Sequence, residues 1–299
     1  MSRSLSGMQG PVLILLGALC FCTTGYLQAV APEGATPYVI GCVRMLIGGA
    51  ALFAWCALRG RLPRRDGWPK ASLALCVLAI LGFQLMFFNG VLLAGVAVGT
   101  VVSIGVTPLS AAFLAWVFLR ERPRTAWYPA TAMAVAGLVF INRAGLGPVD
   151  AAALLLPVGA GVSYSLFIVF SRELTRGHAP DTVMAVVSLC VGVIMLPSLF
   201  FYPARWLLTP GGISVALQLG VVTSAMAFSL CLAGFRTTSA STASTVALAE
   251  PLGAACLGIF ALHEPLTTAT LAGMALMLSG VLLLVIFPGK QRAGRGSAA

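Results

Sequence analysis

Ten apolar segments, each close to the same length, follow one another along this chain of 299 residues. A helix needs about 20 mainly apolar residues to cross the hydrocarbon core of a bilayer. The segments therefore predict ten membrane-spanning helices, of which the fifth and the tenth are short. Their predicted bounds are 10–31, 37–58, 70–92, 95–118, 126–142, 150–172, 181–202, 211–233, 240–262 and 269–287.

The scarcity of charged residues supports an all-α membrane protein. Only 9% of the residues are charged and 59% are hydrophobic, whereas a soluble domain carries about 25% charged residues. A soluble fold of this length could not cover its surface with so few charges. The composition therefore excludes ordinary soluble enzymes, disordered chains and disulfide scaffolds.

The formal net charge of +10 predicts an orientation in the membrane. A basic chain can bind nucleic acid, but here the basic residues follow the connections between spans, so no nucleic-acid partner is expected. Fifteen of the 18 Lys and Arg residues lie at the termini and on alternate connections, against two, Arg143 and Arg205, on the other side. Because basic loops stay cytoplasmic, we expect a multi-pass protein of a bacterial-type inner membrane with both termini in the cytoplasm.

Patterns typical of catalysis or metal binding are missing from the sequence. All eight cysteines lie in apolar segments, none forms a CxxC pair, and none lies near His178 or His263. We interpret them as small buried hydrophobic residues. The phosphate-binding GxxxxGKS/T loop, GxSxG and HExxH are also absent. We therefore expect no enzyme activity, no metal and no cofactor.

The sequence contains an internal repeat. The block from Pro108 to Glu121 matches the block from Pro251 to Glu264 without a gap, and the same fixed offset relates Gly137 to Gly280. The repeat is five spans long, and five is odd, so the second copy crosses the membrane in the opposite sense. Inverted repeats are typical of transporters, whose two halves exchange conformations around a central site.

The repeat predicts the domain organisation and two helix interruptions. Residues 1–143 form a first repeat, residues 144–289 a second, and residues 290–299 a basic cytoplasmic tail. Pro108 and Pro251 lie in the middle of their spans, where proline removes an intrahelical hydrogen bond. Matched interruptions in the two halves indicate a binding site near the midplane. A packing kink explains the two prolines equally well.

These paired Pro-Leu…Leu-x-Glu blocks resemble the drug/metabolite transporter superfamily, with two EamA-type repeats of five helices each. The resemblance covers essentially the whole chain, which is similar to YddG-like amino-acid exporters that often act on aromatic amino acids. Superfamily members export amino acids and other metabolites, or exchange sugar phosphates and nucleotide sugars. The resemblance implies ten helices around a central cavity, lined by helices 1, 3, 4, 6, 8 and 9.

Two charged residues lie inside predicted spans, and such residues are functional candidates. Arg44 lies roughly 10 Å from one end of its span and Glu250 roughly 15 Å from the other, at 1.5 Å per residue. Their depths are therefore similar. They could pair with each other, or separately bind the carboxylate and the ammonium of an amino acid. Glu250 could also carry a coupling proton, because burial disfavours a charged carboxyl.

Polar and aromatic residues supply the other candidates for substrate binding. Within the third span, Gln84, Phe87 and Phe88 share one predicted helical face with Val91. The remaining candidates are Tyr164 and Phe167 in the sixth span and Ser244 and Thr245 in the ninth. For each of them, packing between helices is the competing interpretation. Glu121 and Glu264 lie at predicted span ends, where we expect ion pairing or capping more than gating.

The predicted function is secondary transport, with an amino acid, aromatic or otherwise neutral, exported by alternating access. Other metabolites, drugs and nucleotide sugars are alternative substrates, and an intramembrane enzyme or a passive channel is an alternative class. A nucleotide sugar would favour several basic residues in the cavity, but only Arg44 is clearly within a span. The expected partners are a small-molecule substrate, the lipid bilayer and a coupling proton. Monomer and oligomer both remain open.

Overall fold

The computed structural model describes residues 2–60, 67–147, 150–261, 263 and 265–286. Within these residues, the regular secondary structure is helical throughout. The C-terminal tail predicted at residues 290–299 and the repeated Glu264 lie outside the described residues. Ten principal helices, numbered α1 to α10, follow the ten apolar segments.

The first half of the chain contributes five helices. Helix α1 turns at Cys22 and continues for two turns, whereas α3 and α4 are separated by Gly95 alone. The bounds are Ser2–Phe21 and Thr23–Ala29 for α1, Pro37–Leu58 for α2, Lys70–Ala94 for α3, Val96–Leu119 for α4 and Trp127–Ile141 for α5.

The second half repeats this order with more interruptions. Short 3₁₀ turns precede α6 and α8, and a π-helical stretch forms the middle of α8. The bounds are Leu155–Gly177 for α6, Pro180–Met195 and Ser198–Phe201 for α7, Pro210–Gln218, Leu219–Ala227 and Phe228–Phe235 for α8, Ala240–Val246 and Ala249–Ala261 for α9, and Thr268–Ile286 for α10.

The helices confirm the predicted fold class. Nine helical segments of the described chain are long and apolar enough to cross a membrane, and α5 is a shorter apolar helix. The expectation that the fifth span is short is therefore correct. The chain is an all-α, multi-pass membrane protein.

Local sequence accounts for several helix ends. Gly95 has φ +85°, which a residue without a Cβ adopts freely, so the chain turns between α3 and α4 in one residue. The Thr209 hydroxyl accepts a hydrogen bond from the Gly212 N–H at 3.0 Å and caps α8. At the start of α9, the Ser239 hydroxyl accepts one from the Thr242 N–H at 3.3 Å.

The ends of α4 and α9 have matching backbone conformations. Arg120 (φ 55°) and His263 (φ 56°) are the two non-glycine residues with positive φ in the described chain. The offset that carries Pro108 to Pro251 also carries Arg120 to His263. After Arg120, the Glu121 N–H donates to the Ala115 carbonyl at 3.1 Å, which closes the end of the helix. The repeat is therefore visible in backbone geometry as well as in sequence.

Helices α2 and α7 pack through a reciprocal pair of contacts. A Cβ placed on Gly49 would meet the Leu189 side chain at 2.8 Å, and one placed on Gly192 would meet Leu46 at 2.7 Å. The repeat offset carries Gly49 to Gly192 and Leu46 to Leu189. The same contact therefore occurs twice, as a two-fold relation between the halves requires.

Helices α5 and α10 meet in the same way. A Cβ on Gly137 would lie 2.5 Å from the Gly273 carbonyl oxygen, and one on Gly280 would lie 2.5 Å from the Ala130 carbonyl oxygen. The repeat exchanges these two contacts as well. Higher numbers on one helix face lower numbers on the other, so the two helices are antiparallel and the halves have opposite topology.

The two prolines do not produce the matched interruptions that we expected. Helix α4 runs through Pro108 without a break, and the nearby Thr107 hydroxyl donates to the Ser103 carbonyl at 2.9 Å. Helix α9 is interrupted at residues 247–248, and Pro251 lies in the first turn of the segment that follows. Proline is tolerated in a first turn because the N–H there has no helical partner. Of these two related helices, α9 alone is broken.

We predict that replacement of Gly137 by Ala destabilises the protein by about 1–3 kcal/mol, the usual effect of overpacking. The added methyl group would meet backbone atoms of α10, which cannot rotate away. Gly25→Ala is the matched control, because no atom lies within 4 Å of a Cβ placed there. Thermal unfolding in detergent should separate the two variants, and equal stabilities would contradict this packing.

Candidate functional site

Arg44 brings a positive charge into the interior from α2. The residue is only 6% exposed, and its Nε has no hydrogen-bond partner among the described residues. Its charge interacts with Glu250 of α9 and with Tyr164 of α6. A buried guanidinium with an unused donor is costly unless something binds it. The Arg44 Nε is therefore an unused hydrogen-bond donor in the interior of the described structure.

Glu250 lies immediately after the break in α9 and interacts with groups from several helices. It is the second residue of the segment Ala249–Ala261 and is partly exposed. One turn later, a Cβ on Gly253 would lie 2.9 Å from the Cβ of Cys22 in α1. The Cys22 and Cys231 thiols are both close enough for the charge of Glu250 to act on them. The carboxylate therefore acts electrostatically on groups of α1, α2, α6 and α8.

Arg44 and Glu250 attract each other without forming a salt bridge. The Glu121–Arg172 pair, near the helix ends, has an N–O distance of 2.7 Å, whereas no N–O distance below 4.0 Å joins Arg44 and Glu250 in the described chain. The two interior charges, one from each repeat, therefore interact across an N–O distance of more than 4.0 Å. Tyr164 interacts with both and is also partly exposed. These partly exposed side chains indicate open space between the helices.

A series of aromatic rings crosses the bundle beside these charges. Each ring lies 4.8–6.2 Å from the next, measured between centroids, and the series joins α1, α8, α6 and α3. Tyr164 is in the middle of it, 5.2 Å from Phe83 and 6.2 Å from Phe167. In order, the rings are Phe21, Phe228, Phe167, Tyr164, Phe83, Phe87 and Phe88.

The structure divides the candidates of the third span between two faces of α3. Phe87 is partly exposed and stacks with Phe83, on the face toward Tyr164. Gln84 is only 2% exposed and donates to the Met195 sulfur of α7 at 3.5 Å. Its carbonyl oxygen has no partner in the described chain and faces Gly41 of α2. Gln84 thus lies in a packing interface, away from the Tyr164 ring.

Ser244 and Thr245 are both buried, and Thr245 lies in the interface between α9 and α5. The Thr245 hydroxyl accepts from the Trp127 indole N–H at 3.0 Å and contacts the Thr131 hydroxyl at 2.8 Å. The Ser244 hydroxyl donates to the Ser241 carbonyl at 3.0 Å. Both residues are at most 1% exposed. The hydroxyls of both residues are used within the protein, and those of Thr245 and Thr131 join the first segment of α9 to α5.

Sequence reasoning missed several residues beside the charges. Phe83 precedes Phe87 by four residues, so continuing the helical face by one turn toward the N-terminus would have found it. Phe21, Phe228 and Cys231 come from α1 and α8, and their nearness to the site depends on which helices adjoin. The spacing of residues along the sequence does not indicate which helices are neighbours.

Different contacts join neighbouring helices at the two ends of the bundle. At the end that carries Arg59 and Arg120, here called the basic end, Glu121 pairs with Arg172 at 2.7 Å. At the opposite end, the Tyr38 hydroxyl donates to the Asn89 side-chain oxygen at 2.6 Å. The Arg44–Glu250 site lies between these two sets of contacts, because Arg44 is in the interior of α2 and Glu250 follows the break in the middle of α9.

The chain matches the model of the EamA-like transporter family twice, over residues 8–143 and 151–286. It is 35% identical to the "Uncharacterized transporter YwfM" of Bacillus subtilis (strain 168), covering 96% of this chain and 97% of that protein. It is 27% identical to the "Threonine/homoserine exporter RhtA" of Salmonella typhimurium, covering 86% of this chain and 85% of that protein.

A solved crystal structure has the same fold. Its TM-score is 0.83 at 21% sequence identity, and the match covers 93% of this chain and 97% of that one. Together with the two family matches, which include nearly every helix described above, this similarity identifies the repeat architecture. The chain is a multi-pass membrane transporter that belongs to the EamA-like transporter family.

Proposed function

We propose that the protein exports an amino acid, or a similar small zwitterion, by alternating access. The observation that carries this proposal is the pair of unbridged opposite charges, Arg44 and Glu250, in one interior site. A free amino acid has a carboxylate and an ammonium group a few ångströms apart. The carboxylate would bind Arg44, and the ammonium would bind Glu250 beside the Tyr164 hydroxyl.

The aromatic series supports an organic solute over an inorganic ion. Phe83, Phe87 and Tyr164 are partly exposed beside the charges, so they offer apolar surface to a solute side chain. The amino-acid substrates in the name of the Salmonella typhimurium relative agree with this class. Another metabolite, a drug or a nucleotide sugar is the alternative. Because Arg44 is the one cation that the described structure brings to this site, a doubly phosphorylated solute fits less well.

The orientation that we propose places the basic end in the cytoplasm of a bacterial-type cell. The described residues at this end include Arg59, Lys70, Arg120, Arg176 and Arg236. Arg143 and Arg205 follow α5 and precede α8, at the opposite end. Basic loops near membrane spans are retained in the cytoplasm. An exporter in this orientation takes its solute from the basic end.

Counterflow into proteoliposomes, with a panel of radiolabelled amino acids, tests the substrate class. We expect saturable exchange of at least one neutral amino acid. For that substrate, Arg44→Gln should lower uptake at limiting concentration by about tenfold to a hundredfold, because a hydrogen bond to a charged group contributes about 1.5–3 kcal/mol. Arg205→Gln removes the same charge from an exposed position and should leave uptake unchanged.

Two results would contradict this proposal. One is a failure of every amino acid in the panel to exchange through purified, folded protein. The other is an equal effect of the Arg44 and Arg205 substitutions, since the charge would then act through the field of the whole protein and not through contact with the solute. Nonsaturable flux would indicate a channel.

We further propose that Glu250 couples export to protons, because it can bind either a proton or the ammonium of the solute. Low pH on the loading side should then weaken solute binding, and an acidic exterior should accelerate export. Glu250→Gln should abolish this acceleration by an imposed proton gradient, and Glu33→Gln, at an exposed position, should not. Full gradient dependence in the Glu250 variant would overturn the proton role.

A further inference from the structure

Glu121 and Arg172 join the ends of four helices at the basic end. The Arg172 Nη1 donates to Glu121 Oε1 at 2.7 Å, which links α6 to the residue that follows α4. The Arg172 Nε donates to the Phe235 carbonyl, the last residue of α8, at 3.0 Å. The Ala240 N–H, at the start of α9, donates to Glu121 Oε2 at 3.4 Å. These two side chains with their backbone partners are here called the basic-end clamp.

The electrostatics of helix ends favour these contacts. The last carbonyls of a helix carry partial negative charge and its first N–H groups partial positive charge. Arg172 is a cation at the C-terminal end of α8, and Glu121 is an anion at the N-terminal end of α9, so both charges complement the helix ends that they bind. The side chains are 10% and 30% exposed, so water screens the contacts only in part. The clamp closes the basic end more strongly than an exposed ion pair would.

The clamp is nevertheless incompletely satisfied. The Arg172 Nη2 is buried and has no hydrogen-bond partner among the described residues. An unpartnered buried donor costs free energy and lowers the stability of the closed arrangement. The contacts therefore hold the four helix ends together, and the free energy needed to separate them is lower than it would be if every donor were bonded.

A different, uncharged cluster joins α2, α3 and α7 at the opposite end. Tyr38 of α2 donates to Asn89 of α3 and stacks on Tyr202, which follows α7, with ring centroids 4.8 Å apart. The Ser198 hydroxyl contacts the Tyr38 carbonyl at 3.5 Å. These four residues are here called the tyrosine cluster.

The repeat supplies no second clamp. Its constant offset places Ala29 where the other half has Arg172, and Ala97 where it has Ala240. The scaffold is symmetric, but the cation of the clamp belongs to one half alone. Among the described residues, the two ends are therefore joined by different interactions.

We propose that the basic-end clamp and the tyrosine cluster are the two gates of the transport cycle and that they open in alternation. This inference rests on the proposed function, and it assigns positioning roles, not solute binding, to Glu121 and Arg172. Separation of α4 and α6 from α8 and α9 opens the central site to the basic end. Because the two halves are inverted repeats, the same movement brings the helices together at the end that carries the tyrosine cluster.

Hydrogen exchange of the full chain in lipid nanodiscs, without added solute, tests the proposal. We expect Glu121→Gln and Arg172→Gln to raise amide exchange in residues 236–246 about tenfold. Exchange in residues 38–42 and 198–206 should fall at the same time, because the tyrosine cluster stays closed for longer. A merely structural contact would not produce this reciprocal protection.

Glu173→Gln is the matched control. It removes the neighbouring carboxylate, which contacts the Ser72 hydroxyl of α3 at the same end, and it should change neither segment. If a glutamine variant fails to fold, Arg172→Lys replaces it, since an ammonium lacks the planar fork of N–H groups that bonds Glu121 and the Phe235 carbonyl. Unchanged amide exchange at residues 236–246, or faster exchange at both ends of the bundle, would contradict the assignment of the two gates. Because no solute is present, this outcome is independent of whether amino acids are transported.

Discussion

The absence of water from the hydrocarbon core is the constraint on which the rest of this structure depends. Backbone N–H and C=O groups find no partners in lipid, so each span is a helix that satisfies its own backbone. Lipid also removes most of the hydrophobic drive for helix association, and close packing takes over that role. The reciprocal contacts of Gly49 with Leu189 and of Gly192 with Leu46 show how this packing is achieved. The two halves are therefore held together by the close fit of leucine side chains against glycines of the facing helix.

Close packing also makes the few charged residues of the interior functional candidates. Charged groups inside a membrane protein are costly, and a packed helix leaves little room to hydrate them. Glu250 occurs at the break in α9, and its charge interacts with the buried Arg44 and with the partly exposed Tyr164. The same break places the carboxylate in the first turn of a new helical segment, where the helix dipole favours negative charge.

Sequence alone predicted the fold well because the signals for it do not depend on which helices are neighbours. The length of each apolar segment predicts a span, and the constant offset between matching blocks predicts two inverted halves. The candidate site was predicted less completely. The choice of Arg44 and Glu250 needed only the rule that interior charges are rare. Gln84 and Thr245 were harder, because either residue could face a neighbouring helix or a cavity, and adjacency between helices decides between the two. The continuous helix at Pro108 shows the same limit: proline removes one hydrogen bond, but the surrounding packing determines whether the helix divides.

The contrast between an unbroken α4 and a divided α9 has a consequence for how such a protein can diversify. Where two copies of one five-helix unit touch, each substitution must keep the close approach of the partner helix, as Ala130 and Gly273 both do at matching positions of α5 and α10. Helices α4 and α9 are released from that requirement near their centres. One copy can therefore preserve the mechanics inherited from duplication while the other acquires new chemistry, and solute preference can evolve by substitutions around a single interrupted helix.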